Sequence, residues 1–350
     1  MVIIVVGIIA LFAYEALVVP PATTSSSVWL TGDQYPISLG GVYAVSGQQC
    51  LNSTSYIYCI GGVDYQGGPR NSVYVSSSLS SSSANITSWT AASNSYPSVI
   101  NGQSCITYSS YVYCVGGSYD SSGDDIASSY YASLGSGTVG TWNATTAFPI
   151  PVDSQACVAS SSYIYCVGGE NETDGQNADS IWTSSVWYAP LSSSGIGNWT
   201  QTNAYPANVY FPSCAAYAGY IYCVGGLDSS GDALTTSYYA SLSSSGVGSW
   251  SSTTAYPAAL QGQYCVTASG NLYCVGGEGS SSGSYTNAVY YASVSSSGIG
   301  KWAQSAANYP DSATTECAVS SSHIYCVGGS DGSSNTETGG VYYAALSSLT

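Results

Sequence analysis

Six times the chain carries a short apolar run that contains a Cys and ends in Gly-Gly. The copies are YIYCIGG ending at Gly62, YVYCVGG at Gly117, YIYCVGG at Gly169 and Gly226, NLYCVGG at Gly277 and HIYCVGG at Gly329. They recur at intervals of 55, 52, 57, 51 and 52 residues. Behind each copy come a polar loop, a Tyr-rich segment such as VYYASV (289–294) or VYYAAL (341–346), and a Ser/Gly turn. A Trp follows in all but the last copy, then an aromatic-Pro step. The Trp residues are Trp29, Trp89, Trp142, Trp199, Trp250 and Trp302; the steps start at Tyr35, Tyr96, Phe148, Tyr205, Tyr256 and Tyr309. The run Tyr163–Val167 is apolar on both faces, which suits a strand covered on both sides. Gly168 and Gly169 behind it can take backbone angles closed to other residues, letting the chain turn where neighbours crowd.

A period near 50 residues with about four short strands predicts one propeller blade per copy. The Gly-Gly doublet after a hydrophobic strand, the paired Tyr and the later Trp resemble the kelch repeat across residues 27–349. The expected fold is all-β, a six-bladed kelch-like β-propeller. Phase sharpens this. The repeat starts on the Trp29 segment and ends after the third strand of the last copy, without a Trp. Residues 27–33 are therefore expected to supply the fourth strand of the last blade and close the ring, leaving little sheet edge. The propeller then occupies residues 27–350. The repeated Trp reads as a packing residue between blades rather than a sugar-stacking platform.

The twelve cysteines fall into six pairs nine positions apart: Cys50/Cys59, Cys105/Cys114, Cys157/Cys166, Cys214/Cys223, Cys265/Cys274 and Cys317/Cys326. Structural zinc sites want closer spacing, often with His. Even numbers at fixed spacing point to disulfides and an oxidising, extracellular setting, one bridge across the first hairpin of each blade. Asn52, Asn85, Asn143, Asn171 and Asn198 each stand two residues before Ser or Thr, so covalent glycans are expected partners.

Residues 1–19 are apolar except Tyr14 and Glu15, and as a helix would span roughly 28 Å, about one bilayer core. Pro20 and Pro21 end the helix, and residues 20–26 read as an extended stem. No basic n-region precedes the segment, as a signal peptide would need, and the first basic residue is Arg70. The segment resembles the N-terminal helix of type IV pilins, especially archaeal ones, which packs in a filament core. Glu15 is expected to hydrogen-bond or snorkel near the helix end, or to meet a neighbouring copy's amino terminus.

Charge excludes several functions. With Lys and Arg numbering 2 against 18 Asp and Glu, the formal charge is −16, and nothing can neutralise a phosphate backbone or anionic lipid. Of the acids, 13 follow the Gly-Gly runs: Asp64, Asp120, Asp124, Asp125, Glu170, Glu172, Asp174, Asp179, Asp228, Asp232, Glu278, Asp331 and Glu337. Loops of this class leave one end of a propeller, so that end should be acidic, chiefly a solvated face. Asp120, Asp124 and Asp125, or Glu170, Glu172 and Asp174, are the calcium candidates, although neither set has the spacing of a known calcium loop. The remaining acids are Glu15, Asp33, Asp153, Asp311 and Glu316.

Enzymes find little support. The kelch-like copper oxidases need two His ligands, and this chain has only His323, standing where other copies carry Tyr. No Gly-Gly is followed by a P-loop Lys, and the carboxylates sit in hydrophilic loops rather than an apolar cleft. No cofactor is expected. The pattern reads as a non-enzymatic subunit of an extracellular pilus-like filament, polymerising through its N-terminal helix with a glycosylated propeller outside and adhesion as a further role. In that reading the membrane matters only before assembly. The alternative is a membrane-anchored surface propeller that binds glycan or protein ligands.

Overall fold

The computed structural model describes residues 28–350 except 37, 40–41, 44, 54, 65, 81–83, 119–123, 172–180, 281–283, 321 and 332–335. The expected helix over 1–19 and stem over 20–26 lie outside the described residues. Among the described residues six antiparallel sheets of four or five strands form six blades. No helix there is long and apolar enough to cross a membrane.

Blade 1 consists, from the channel outward, of Gln49–Ser53, Tyr56–Ile60, Val73–Ser76 and Trp89–Ala91. The innermost strands of blades 2 to 6 are Ser104–Tyr108, Ala156–Ser160, Ser213–Tyr217, Tyr264–Ala268 and Ala313–Ser320. Each meets the next around the ring, and that of blade 6 meets that of blade 1. Blade 6 takes its outer strand from the other end of the chain. Leu30–Thr31 pairs with Thr336–Ala345, Leu30 opposite Tyr343 and Thr31 opposite Tyr342.

All six Cys pairs are bonded within a blade, across the first two strands. The bridges are Cys50–Cys59, Cys105–Cys114, Cys157–Cys166, Cys214–Cys223, Cys265–Cys274 and Cys317–Cys326. The two Cys of each pair stand directly opposite one another in the ladder, with Cα atoms 4.0 to 4.1 Å apart. That is the close-pair geometry of antiparallel strands, where side chains approach most nearly. The nine-residue spacing is thus a consequence of hairpin length.

The second Cys of each bridge is a core residue and no part of a surface site. Cys59, Cys114, Cys166, Cys223, Cys274 and Cys326 are at most 1% exposed. Each packs in one of the hydrophobic clusters between blades. The first Cys lies on the strand that borders the channel; Cys50 and Cys317 are as buried as their partners at 1% exposed, while Cys105, Cys157, Cys214 and Cys265 help to line the channel. Access to the channel is set by strand position. The second strand has a strand on either side and a neighbouring blade over each face, whereas the first has one edge on the axis.

The core is distributed over six hydrophobic clusters, one between each pair of neighbouring blades. The same devices recur from boundary to boundary, the first of them at five of the six. The second Gly of the doublet donates its N–H to a carbonyl entering the next blade, as Gly117 does to Val152 O at 2.8 Å. At Gly169 φ is +100° and an added Cβ would lie 2.6 Å from Asp153 O, so a side chain has neither the conformation nor the room. In four blades a buried Gln two residues before the Cys reaches back to the preceding blade. Gln48, Gln103, Gln155 and Gln263 donate Nε2 to Val327, Ile60, Val115 and Val224 carbonyls at 2.7 to 2.8 Å. The second Tyr of the run ties forward, Tyr113 Oη donating to Ser192 O at 2.7 Å and Tyr165 Oη to Ser243 O at 2.8 Å.

The Trp residues show a register that reading along the chain does not reveal. Each packs edge-on against the aromatic-Pro ring that precedes it by one whole repeat, not the one following it. Trp89 meets Tyr35 at 5.0 Å, Trp142 meets Tyr96 at 4.9 Å and Trp199 meets Phe148 at 4.8 Å. The series closes with Trp29 on Tyr309 at 5.2 Å. Each indole N–H also reaches the carbonyl two residues before that ring, as in Trp89 Nε1 to Asp33 O at 3.0 Å.

The hydroxyls of Tyr35, Tyr96, Tyr205 and Tyr256 are buried in these boundaries with no hydrogen-bond partner. Blade 3 has Phe148 at the same place. Tyr96→Phe is therefore expected to keep Tm within about 2 °C of wild type or raise it, since it removes an unsatisfied polar group. A thermal melt showing a loss of more than about 5 °C would mean the hydroxyl is satisfied in solution.

Candidate functional site

The innermost strands are laid around an axis, so the residues just before each first Cys face one shared space. They bound a cavity of about 390 Å³ at the channel mouth. Three consecutive positions line it. The position immediately before the Cys holds Gln49, Ser104, Ala156, Ser213, Tyr264 and Glu316. Two before the Cys, Gln recurs except for Pro212 and Thr315. Three before it stand Gly47, Gly102, Ser154, Phe211, Gly262 and Thr314. The loops after the Gly-Gly runs add Val63, Glu278, Tyr285 and Ser330 to the wall.

Several of these side chains are tied to the next blade. Ser104 Oγ accepts Cys157 N–H at 2.9 Å and Ser213 Oγ accepts Cys265 N–H at 2.8 Å. Gln49 Oε1 accepts Cys105 N–H at 3.3 Å while its Nε2 donates to Glu316 Oε2 at 2.8 Å. The Tyr264 hydroxyl hydrogen-bonds the same carboxyl. Glu316 is thus held between blades 5 and 1. It keeps part of its surface on the channel, but protein encloses the rest, and that burial pushes its pKa well up, against the opposing pull of Tyr264.

The sign of this shift has a consequence for stability. A carboxyl that binds its proton more tightly when folded costs nothing at low pH. The cost grows as pH rises from the unfolded-chain value through the folded one. Glu316→Gln is expected to leave Tm unchanged near pH 4 and raise it by about 2 °C or more near pH 7. An equal shift at both pH values, read by calorimetry, would contradict this.

At the rim beside blade 4, Phe211 is 39% exposed and adopts φ of +51°. Its ring lies 4.3 Å from Tyr210, which stacks in parallel on Trp182 at 5.3 Å. Trp182 Nε1 donates to Glu170 Oε1 at 3.0 Å. Burial first, then the nearby Asp153 and Glu170 carboxylates, raise the Tyr210 pKa well above its usual value.

The acidic loops divide. Asp64 is 2% exposed, accepts the Gln66 and Gly68 N–H groups through Oδ1, and pairs with Arg70. Burial raises its pKa, but those two N–H donors and Arg70 together bring it below the usual carboxylate value. Asp228 caps its own loop in the same way, accepting Ser230 and Asp232 N–H. Asp232 and the calcium candidates Asp124 and Asp125 are described; Asp120, Glu172, Asp174 and Asp179 lie outside the described residues, as do the side chains of Asp331 and Glu337. Among the described residues no three His, Cys, Asp or Glu side chains converge as a metal site would need.

His323 occupies a Tyr slot, its ring 6.2 Å from both Tyr325 and Tyr343, with Ser322 Oγ 2.9 Å from Nδ1. Burial lowers its pKa. Of the glycosylation candidates, Asn143 and Asn198 are exposed near outer strands; Asn52, Asn85 and Asn171 are half-buried, and Asn171 Nδ2 donates to Pro151 O at 2.7 Å.

Reading the sequence did not single out Glu316, Tyr264, Gln49 or Phe211. The signal that finds them is the alignment of the chain's own six repeats, in which these are the positions that refuse to repeat.

No family model matches the chain, and a search of curated proteins finds no match. Among solved structures the chain is similar to one described as "Structure of YjhT", with a TM-score of 0.70 at 12% identity, covering 89% of this chain and 96% of that one. At that identity the likeness shows the propeller fold alone.

Proposed function

We propose that the chain is an extracellular, non-catalytic binding propeller, displayed by its apolar N-terminal segment, that takes a small ligand into the channel mouth. The observation that carries this is the cavity of about 390 Å³, where the six repeats stop being alike. Its wall is made of amides, hydroxyls, aromatic rings and two carboxyls, Glu278 and Glu316, and among the described residues no basic side chain reaches it. Such a lining suits neutral or cationic ligands and rejects anions. Glu316 is held by Gln49 and Tyr264 on two sides, an arrangement that supports binding rather than nucleophilic or acid–base work. Six buried bridges fit an oxidising exterior, and the exposed Asn143 and Asn198 support glycans on the outer rim. The Gly-Gly, paired-Tyr and Trp pattern supports a kelch-type ancestry for the blades.

The test is an array of immobilised sugars, amines and carboxylates probed with the full chain and with Ala156→Trp, which fills the channel from a position whose side chain neither donates nor accepts a hydrogen bond. Binding by the wild type that Ala156→Trp abolishes is expected. Binding that survives the plug would move the site to the outer loops and overturn this reading.

The apolar run over 1–19 favours a second reading, the filament subunit with this segment in the polymer core. Negative-stain microscopy of shed material separates the two: filaments that sediment without lipid support polymerisation, detergent-released monomers support the anchor.

A further inference from the structure

We infer that the ligand of the channel mouth is a small organic cation, its ammonium group at Glu316 and its carbon skeleton against Phe211. This rests on the reading of the channel mouth as the binding site.

Six copies of one unit show, within a single chain, what the fold alone requires. Three positions before the Cys, the backbone is left-handed in five blades, with φ of +62° at Gly47, +64° at Gly102, +51° at Ser154, +51° at Phe211 and +60° at Gly262. Gly meets that demand without strain, whereas Phe at such an angle is strained by its Cβ. Phe211 accepts the strain and stays 39% exposed. A strained, exposed aromatic adds little to folding; on the wall of a cavity it offers an apolar and π face to a ligand. The position before the Cys tells the same story. It is neutral in five blades and acidic only at Glu316.

Charge decides the ligand class. The chain has two basic side chains. Arg70 is engaged with Asp64, and Lys301 is exposed beside an outer strand. Among the described residues the carboxyl of Glu316 therefore has no counter-charge, and the wall around it supplies neutral donors only. An ammonium would complete it, and aromatic faces such as those of Phe211, Tyr264 and Tyr285 attract cations where water is excluded. The field of a chain of net charge −16 draws cations toward the mouth.

Coupling to protons follows. Tyr264 from blade 5 is the titratable group that faces Glu316 among the described residues. Blade 1 presents the neutral Gln49, and Val327 lies opposite on the adjoining strand. Glu278, on the rim, is approached by Gln261 Nε2 at 3.4 Å. Burial keeps Glu316 protonated to higher pH than usual, and a bound ammonium favours its ionised form. Affinity should rise with pH.

The test is calorimetric titration of the full chain with three probes of one size: 2-phenylethylammonium, 2-phenylethanol and phenylacetate, near pH 4 and near pH 7.5. The amine is expected to bind once per chain, about tenfold or more tighter at the higher pH, with the alcohol at least about tenfold weaker there and the carboxylate silent. Glu316→Gln should flatten the pH dependence while keeping the fold, checked by its melt. Phe211→Gly, which restores the residue of three other blades, should weaken amine and alcohol alike and raise stability. Equal binding of amine and alcohol at both pH values would overturn the cation and leave the channel reading intact. Silence from all three probes at up to about 10 mM also overturns the cation, and the array with Ala156→Trp then decides separately whether the channel binds anything.

Discussion

Removing one intra-blade bridge, by Cys105→Ala with Cys114→Ala, is expected to lower Tm by about 5 °C, and reducing all six should leave a chain that no longer refolds at 37 °C. Each bridge closes a loop of about ten residues, for which chain entropy gives roughly 2–3 kcal/mol. Six such terms, about 12–18 kcal/mol together, are as large as the whole 5–15 kcal/mol net stability of an ordinary domain, so even with each discounted for strain the fold depends on them. One sulfur of every bridge, from Cys59 in blade 1 to Cys326 in blade 6, is sealed between blades. Reductant should therefore act slowly on the native protein and quickly once urea opens the blades. Melts of the double variant, and thiol counting over time with and without urea, check both parts. An unchanged Tm, or bridges mapped between blades, would contradict this.

Trp29→Ala is expected to destabilise the protein as much as Trp142→Ala, by about 3 kcal/mol. The reason is closure. Trp29 is 5% exposed and packs on Tyr309, its indole N–H reaching Ala307 O at 3.5 Å. The segment behind it is stitched into blades 6 and 1 by Gly32 N–H to Val341 O at 2.8 Å and Asp33 N–H to Ile86 O at 2.7 Å. Trp142 does the same work within blade 2, against Tyr96. If residues before Gln49 were a loose tail, Trp29→Ala would leave denaturant melts untouched while Trp142→Ala moved them. An open blade 6 would also expose the edge of Thr336–Ala345 to pairing between chains.

The blades were legible because their determinants are local. Cys nine positions apart fit one hairpin, Gly-Gly marks a crowded turn, and alternating Tyr and aliphatic residues mark a strand covered on both faces. Closure by the segment around Trp29 was legible from phase. Partnership was not: Trp142 stands six residues before Phe148 in the chain, yet packs on Tyr96, because only the assembled ring brings neighbouring blades together. The Cys pairs were legible as well, since Cys166 with Cys157 and Cys223 with Cys214 lie within a single hairpin. The acidic loops read as a solvated end, but Asp64 and Asp228 are turned inward on their own backbones, a role set by loop conformation. Glu316 carried no local signal. It lies in a strand, outside the acid-rich loops, and its meaning comes from Tyr264 and Gln49, which sit 52 positions before it and 267 positions before it.

The most direct measurement is a difference electron-density map from crystals of the full chain soaked in 2-phenylethylammonium near pH 7.5. One molecule per chain is expected in the channel mouth, bounded by Phe211 and Glu316, and none in Glu316→Gln crystals. A ligand seated on the outer loops, or an unchanged channel beside bound amine elsewhere, would contradict it.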